Sequence, residues 1–219
     1  MKKYPFLITI SVLFIITQLS CSKEMSQENN GSQPPPGTCD YAPYTVGSTF
    51  SYININNTND TTHFTFTVSG DTTINGIVYK KMGNDSVFTC SNCASGEYTQ
   101  IASILTFQGY EANDLQLTYL KDNVVAGTSW KDTITVNNGS VSSTGILEFT
   151  ITATGMTKSV NGEDYTDVIA VRTDAYALVS DNTIPVGTLF TSYYGKGIGL
   201  IEMDKEEDTT RLVSYDLQP

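Results

Sequence analysis

The chain has 219 residues, with 23 acidic against 12 basic side chains, one histidine and a formal charge of −11. That balance argues against nucleic acid and against direct contact with anionic lipid headgroups; a high proportion of acid on a surface serves solubility first. The chain is 39% hydrophobic and only 16% charged, which supplies a core and excludes disorder throughout.

Lys2 and Lys3 form a basic start, Pro5–Leu19 is an apolar run, and the small Ser20 precedes Cys21. About fifteen apolar residues are too few to span a bilayer comfortably, so residues 1–20 read as a secretion signal ending at a cysteine. The expected product is a bacterial lipoprotein, cleaved before Cys21 and acylated there. Leu19 lies one place nearer the cysteine than in the usual lipoprotein box. Acyl chains contribute about 0.8 kcal/mol per buried CH₂, so two or more anchor stably. Loss of Lys2 and Lys3 leaves ten basic against 23 acidic side chains, a charge of −13. Cys21-Ser22-Lys23-Glu24 resembles the lipoprotein export signal of Bacteroidota-type bacteria. The resemblance implies attachment to the outer membrane, at the cell surface or on its periplasmic face.

Residues 21–38 hold the lipidated cysteine and a polar stretch ending in Pro34-Pro35-Pro36. With Met25 its one large apolar side chain, this segment cannot bury a core and reads as a tether, stiffened by its prolines. From Cys39 to Pro219 the composition turns to Thr, Val, Ile, Tyr and Phe. Phe64, Phe66 and Val68 alternate with His63, Thr65 and Thr67, as Leu147, Phe149, Ile151 and Ala153 do with Glu148, Thr150 and Thr152. Such alternation predicts antiparallel strands with one buried and one wetted face. Asp167–Arg172 is apolar on both faces and predicts a central strand.

Turn signals recur at hairpin spacing: Ser69-Gly70-Asp71, Asn75-Gly76, Gly83-Asn84-Asp85, Lys121-Asp122-Asn123, Asn137-Asn138-Gly139 and Asn161-Gly162. No window sustains a helical stripe. Residues 39–219 therefore read as one all-β domain, an antiparallel meander of about ten strands. A strongly curved sheet or an open or closed barrel is favoured over a β-sandwich.

Catalytic signatures are absent. His63 falls on the polar face of a strand with no ordered acid or nucleophile beside it. No nucleophile elbow, zinc-protease helix or phosphate loop occurs, and no cofactor is implied. Glu163-Asp164 and Glu206-Glu207-Asp208 read as solvated turn acids. Asp204–Asp208 and Asn57–Asp60 offer oxygens but match no calcium loop, and no metal site is assigned. Beyond Cys21, Cys39, Cys90 and Cys93 predict one disulfide and one free thiol, with three possible pairings. Cys90-Ser91-Asn92-Cys93 follows a strand-like run, so structural bridging outweighs redox chemistry there.

In Gly195-Lys196-Gly197-Ile198-Gly199-Leu200-Ile201 the glycines recur with period two, predicting one strand with a bare face. An aromatic ring or a loop could pack there. Thirteen tyrosines, nine phenylalanines and Trp130 suit either a β core or a ligand cavity.

Two stretches resemble segments of uncharacterised Bacteroidota-type envelope lipoproteins. Tyr41-Ala42-Pro43-Tyr44-Thr45-Val46-Gly47-Ser48-Thr49-Phe50-Ser51-Tyr52 is similar to their Tyr-x-Pro-x-x-x-Gly-x-x-Trp-x-Tyr opening, with Phe50 in place of Trp. Tyr193-Tyr194-Gly195-Lys196-Gly197-Ile198-Gly199-Leu200-Ile201 is similar to their Tyr-Tyr-x-x-Gly-(Val/Ile)-Gly-Leu-(Val/Ile) segment. The resemblance implies location and β architecture and carries no catalytic residue. Asp85-Ser86-Val87 and Asp132-Thr133-Ile134 also resemble the short O-glycosylation sites of such proteins. The expected function is a non-enzymatic binding module for an apolar or lipid-like ligand. Its alternatives are a surface protein contacting a protein or glycan partner and, third, an unrecognised hydrolase.

Overall fold

The computed structural model describes residues 36–83, 88–107, 110–137, 139, 142–179 and 182–219. The secretion signal, Cys21, the tether up to Pro35 and the Asp85-Ser86-Val87 site lie outside the described residues.

Twelve strands follow one another among the described residues: β1 (Thr49–Asn56), β2 (Thr61–Ile74), β3 (Ile77–Gly83), β4 (Phe88–Ala94), β5 (Glu97–Phe107) and β6 (Tyr110–Lys121). The second half comprises β7 (Ser129–Asn137), β8 (Ser142–Val160), β9 (Glu163–Val179), β10 (Asn182–Gly195), β11 (Gly199–Asp204) and β12 (Asp208–Asp216). Each pairs antiparallel with its sequence neighbours, and β1 also pairs with β12, from Thr49 opposite Asp216 to Asn56 opposite Asp208. The fold is all-β, a meander closed into a barrel. Closure removes both sheet edges, which is what a long meander of pleat-favouring residues needs in order to avoid pairing with other chains.

The alternation sets the register. Phe50, Tyr52 and Val68 are buried with Phe64 and Phe66 packed beside them, while His63, Thr65 and Thr67 on the other face of β2 are exposed. Leu147, Phe149 and Ile151 of β8 are buried likewise. Val168, Ile169, Ala170 and Val171 of β9 are all buried, so both faces of that strand are covered. Asn75-Gly76, Ser95-Gly96 and Asn161-Gly162 all have positive φ, the geometry of two-residue hairpin turns.

Four sequence expectations need correction. Ser69-Gly70-Asp71 is a bulge inside β2, where the register with β3 shifts between Val68 and Gly70. Glu163 and Asp164 open β9 opposite Val160 and Ser159, because Asn161-Gly162 already completes the turn. Gly195–Ile201 is not one strand: β10 ends at Gly195, residues 196–198 turn, and β11 starts at Gly199. Positive φ at Gly197 (+74°) and Gly199 (+105°) bends the chain where period two alone suggested extension. Gly37 and Thr38 belong to the domain rather than the tether, since Asp122 holds Thr38 and a Cβ on Gly37 would collide with Ser95 and Gly96.

One joint in the wall is weak. Among the described residues β6 and β7 share a single ladder position, Glu111 opposite Asn137. Further along, side chains replace the ladder: Thr118 donates its N–H to Asp132 Oδ2 at 2.8 Å, and its carbonyl accepts Trp130 Nε1–H at 2.6 Å.

Candidate functional site

The hairpin turns at residues 75–76, 95–96, 161–162 and 196–198 and the 122–128 loop lie at one end of the barrel, because a meander alternates its loops between ends. Residues 37–44 form a strap across that end. At its start, the Asp122 carboxylate accepts the backbone N–H groups of Thr38 (3.1 Å) and Cys39 (3.2 Å) and the Thr38 hydroxyl (2.9 Å). Tyr98 donates its hydroxyl to the same carboxylate at 2.7 Å and accepts the Tyr41 N–H at 3.1 Å. Cys39 is disulfide-bonded to Cys93 of β4, leaving Cys90 as a buried free thiol. At the far side the Asp40 carbonyl accepts the Gly197 N–H at 2.7 Å.

The strap drives two rings inward. Tyr41 joins the cluster of Leu115, Leu120, Leu147 and Phe149, and Tyr44 meets Phe50 edge-on at 5.6 Å. The Tyr44 hydroxyl passes so close to Gly199 that a Cβ there would lie 3.0 Å from it. The Tyr52 hydroxyl donates to the Leu200 carbonyl at 3.0 Å. The opening and closing segments singled out in the sequence are thus one structural unit, and a ring does pack on the glycine-bared backbone.

Behind the strap lies a pair of linked hydroxyls. Tyr119 is hydrogen-bonded to Ser91 at 3.2 Å. Tyr119 also meets the rings of Tyr98 (6.1 Å) and Tyr194 (5.5 Å). Burial pushes Tyr119 up to about 12, and burial, then the neighbouring carboxylates, does the same for Tyr41. Tyr44, Tyr52 and Tyr194 are raised too, again by burial first. With no cation beside them among the described residues, these buried phenols stay neutral and serve as hydrogen-bond donors and acceptors.

A cleft of about 220 Å³ opens between the strap and the diverging ends of β3 and β4. Cys39, Ala42 and Tyr44 line it from the strap, Val78, Tyr79 and Lys80 from β3, and Ser91, Asn92 and Cys93 from β4. Asn92 Nδ2 donates to the Val78 carbonyl at 2.8 Å, and Lys80 Nζ pairs with Asp71 at 2.7 Å.

The structure places the other sequence candidates elsewhere. His63 is exposed on β2. Asn56, Thr58 and Asp60 satisfy one another within their own turn. Among the described residues no group of three or more His, Cys, Asp or Glu side chains could hold a metal ion. Thr133 is an exposed strand position beside Asp132. Asp122, Tyr119 and Ser91 were missed: Asp122 reads as a turn former in Lys121-Asp122-Asn123, and a hydroxyl on a strand gives no local signal of its partners.

No protein-family model matches the chain, and no curated protein matches its sequence. Two crystal structures are similar. A candidate lipoprotein from Parabacteroides distasonis ATCC 8503 aligns at TM-score 0.49 with 12% identity, over 80% of this chain and 98% of the other. A candidate exported protein with a YmcC-like fold from Bacteroides fragilis NCTC 9343 aligns at TM-score 0.49 with 10% identity, over 80% and 97%.

Proposed function

We propose that the protein is an envelope lipoprotein, anchored in the outer membrane through Cys21, and a non-enzymatic binding module that works through its surface. The signal ending at Cys21 supports export, and the Cys39–Cys93 bridge suits an oxidising compartment. The observation that carries the surface reading is the strap. Tyr41 and Tyr44 fill space at the barrel end that a carrier of apolar cargo would keep open, and Asp122 and the disulfide hold them there. A contact with a protein or glycan partner follows from this more readily than enclosure of a lipid.

Native mass spectrometry of residues 22–219, before and after mild organic extraction, tests the choice. A single protein mass unchanged by extraction is expected. A co-purified apolar mass lost on extraction would overturn the reading and restore the carrier of a lipid-like ligand.

A further inference from the structure

We propose that the cleft between the strap and β3–β4 binds one neutral sugar unit, such as the terminal residue of a glycan. This deepens the surface-binding reading and rests on it.

Size comes first. At about 220 Å³ the cleft lies below the range of roughly 300–1,000 Å³ usual for larger ligands, so it suits a single substituted ring. An acyl chain would find too little apolar wall beside Ser91, Asn92 and Lys80.

Charge comes second. Among the described residues Lys80 is the one charged side chain lining the cleft, and its ammonium is already matched by Asp71 at 2.7 Å. A ligand there needs no charge, and an anion would have to compete with Asp71 for Lys80.

Hydrogen bonding decides the class. The Ser91 and Tyr119 hydroxyls carry two protons joined by one link, so one proton is left over. Rotation of the hydroxyls can place it on Ser91, which lines the cleft. Asn92 spends an amide proton on the Val78 carbonyl and keeps its amide oxygen to accept from a ligand. The cleft thus offers a donor and an acceptor between the apolar surfaces of Ala42, Val78 and the Cys39–Cys93 bridge. A sugar ring is complementary: hydroxyls that both donate and accept around its rim, and C–H groups on its faces.

Saturation-transfer NMR on residues 22–219 tests this, since all the packing described lies within 36–219. The probes are glucose, galactose, mannose, N-acetylglucosamine and, as a charged control, glucuronate. Each is added at about 10 mM, above the millimolar Kd that one small ring can reach. Transfer to at least one neutral sugar is expected, weakened about fivefold by Ser91→Ala, the loss of one hydrogen bond. Val78→Trp should abolish it by filling the cleft, and at 53% exposure Val78 can change without threatening the fold. No transfer to any neutral sugar, or transfer that survives Val78→Trp, overturns the proposal; so does transfer confined to glucuronate. A silent sugar panel with a single native mass removes the sugar site and leaves the surface reading standing. A co-purified lipid removes the surface reading whatever the sugars show.

Discussion

Asp122 is a buried carboxylate whose oxygens are spent on Thr38, Cys39 and Tyr98. Charge-assisted hydrogen bonds are stronger than neutral ones, so Asp122→Ala should cost about 3 kcal/mol. It should also release the strap, and loss of protection at the Thr38 and Cys39 amides is the measurement that checks this. A variant that melts lower but keeps those amides protected would show that Asp122 supports only the wall. Gly197 and Gly199 separate two glycine roles. Both have positive φ, but a Cβ on Gly197 meets nothing within 4 Å, whereas one on Gly199 meets the Tyr44 hydroxyl at 3.0 Å. Gly197→Val should lower stability by about 1–2 kcal/mol through φ alone. Gly199→Ala should cost more, and equal melting temperatures for the two variants would refute the close approach. The close approach of a ring or a loop to the glycines was legible in the sequence. The partner's identity was not, because Tyr44 lies some 150 residues away along the chain.

Strand by strand, the sequence announces most of the wall and conceals its weakest joint. Alternation in β2 and β8 and the buried stretch of β9 can be read directly, since period two is a local property. The break between β6 and β7 cannot, because it depends on Thr118 turning its N–H and carbonyl toward side chains of β7. Two side-chain bonds are fewer than the ladder joining β8 to β9. Hydrogen exchange should therefore find the amides of Leu117–Leu120 less protected than those of Val168–Val171, and equal protection would argue against a weak joint. Asp132 adds a chemical test. Burial raises its carboxyl above 3.8, against the opposing pull of the Thr118 N–H and Lys121. A raised carboxyl makes the charged form a cost, so its contribution falls as pH rises from the unfolded value through the folded one. Asp132→Asn keeps an acceptor for Thr118 without the charge and should leave the melting temperature at neutral pH unchanged or slightly higher. Asp132→Ala should lower it by about 1 kcal/mol equivalent, the worth of one hydrogen bond.

At the scale of the molecule, closure and the strap turn a tyrosine-rich sequence into a barrel end that holds its phenols out of water. An all-β meander was legible from composition and turn spacing. The same pattern favours a strongly curved sheet or barrel but leaves open whether it closes, since closure rests on β1 meeting β12 across the whole domain and no local pattern encodes that pairing. The tyrosines make the assembled state measurable. Unfolded tyrosine ionises near 10. Tyr41 and Tyr119 are held up to about 12 in the fold, with Tyr44, Tyr52, Tyr98, Tyr165 and Tyr194 also raised, all chiefly by burial. Between those pH values the folded chain holds more protons than the unfolded one. The stability these groups contribute is therefore complete below about pH 10 and is lost as pH climbs through 10 toward 12 and beyond. An alkaline titration followed at once by tyrosinate absorbance and by far-ultraviolet circular dichroism should show two stages. In the first the β signal is intact while the buried set stays protonated, and in the second that set ionises together as the β signal collapses. Smooth ionisation of every tyrosine near pH 10 with the β signal intact would mean that water reaches the phenols. The strap would then be no seal, and the case against an enclosed ligand would lose its main support.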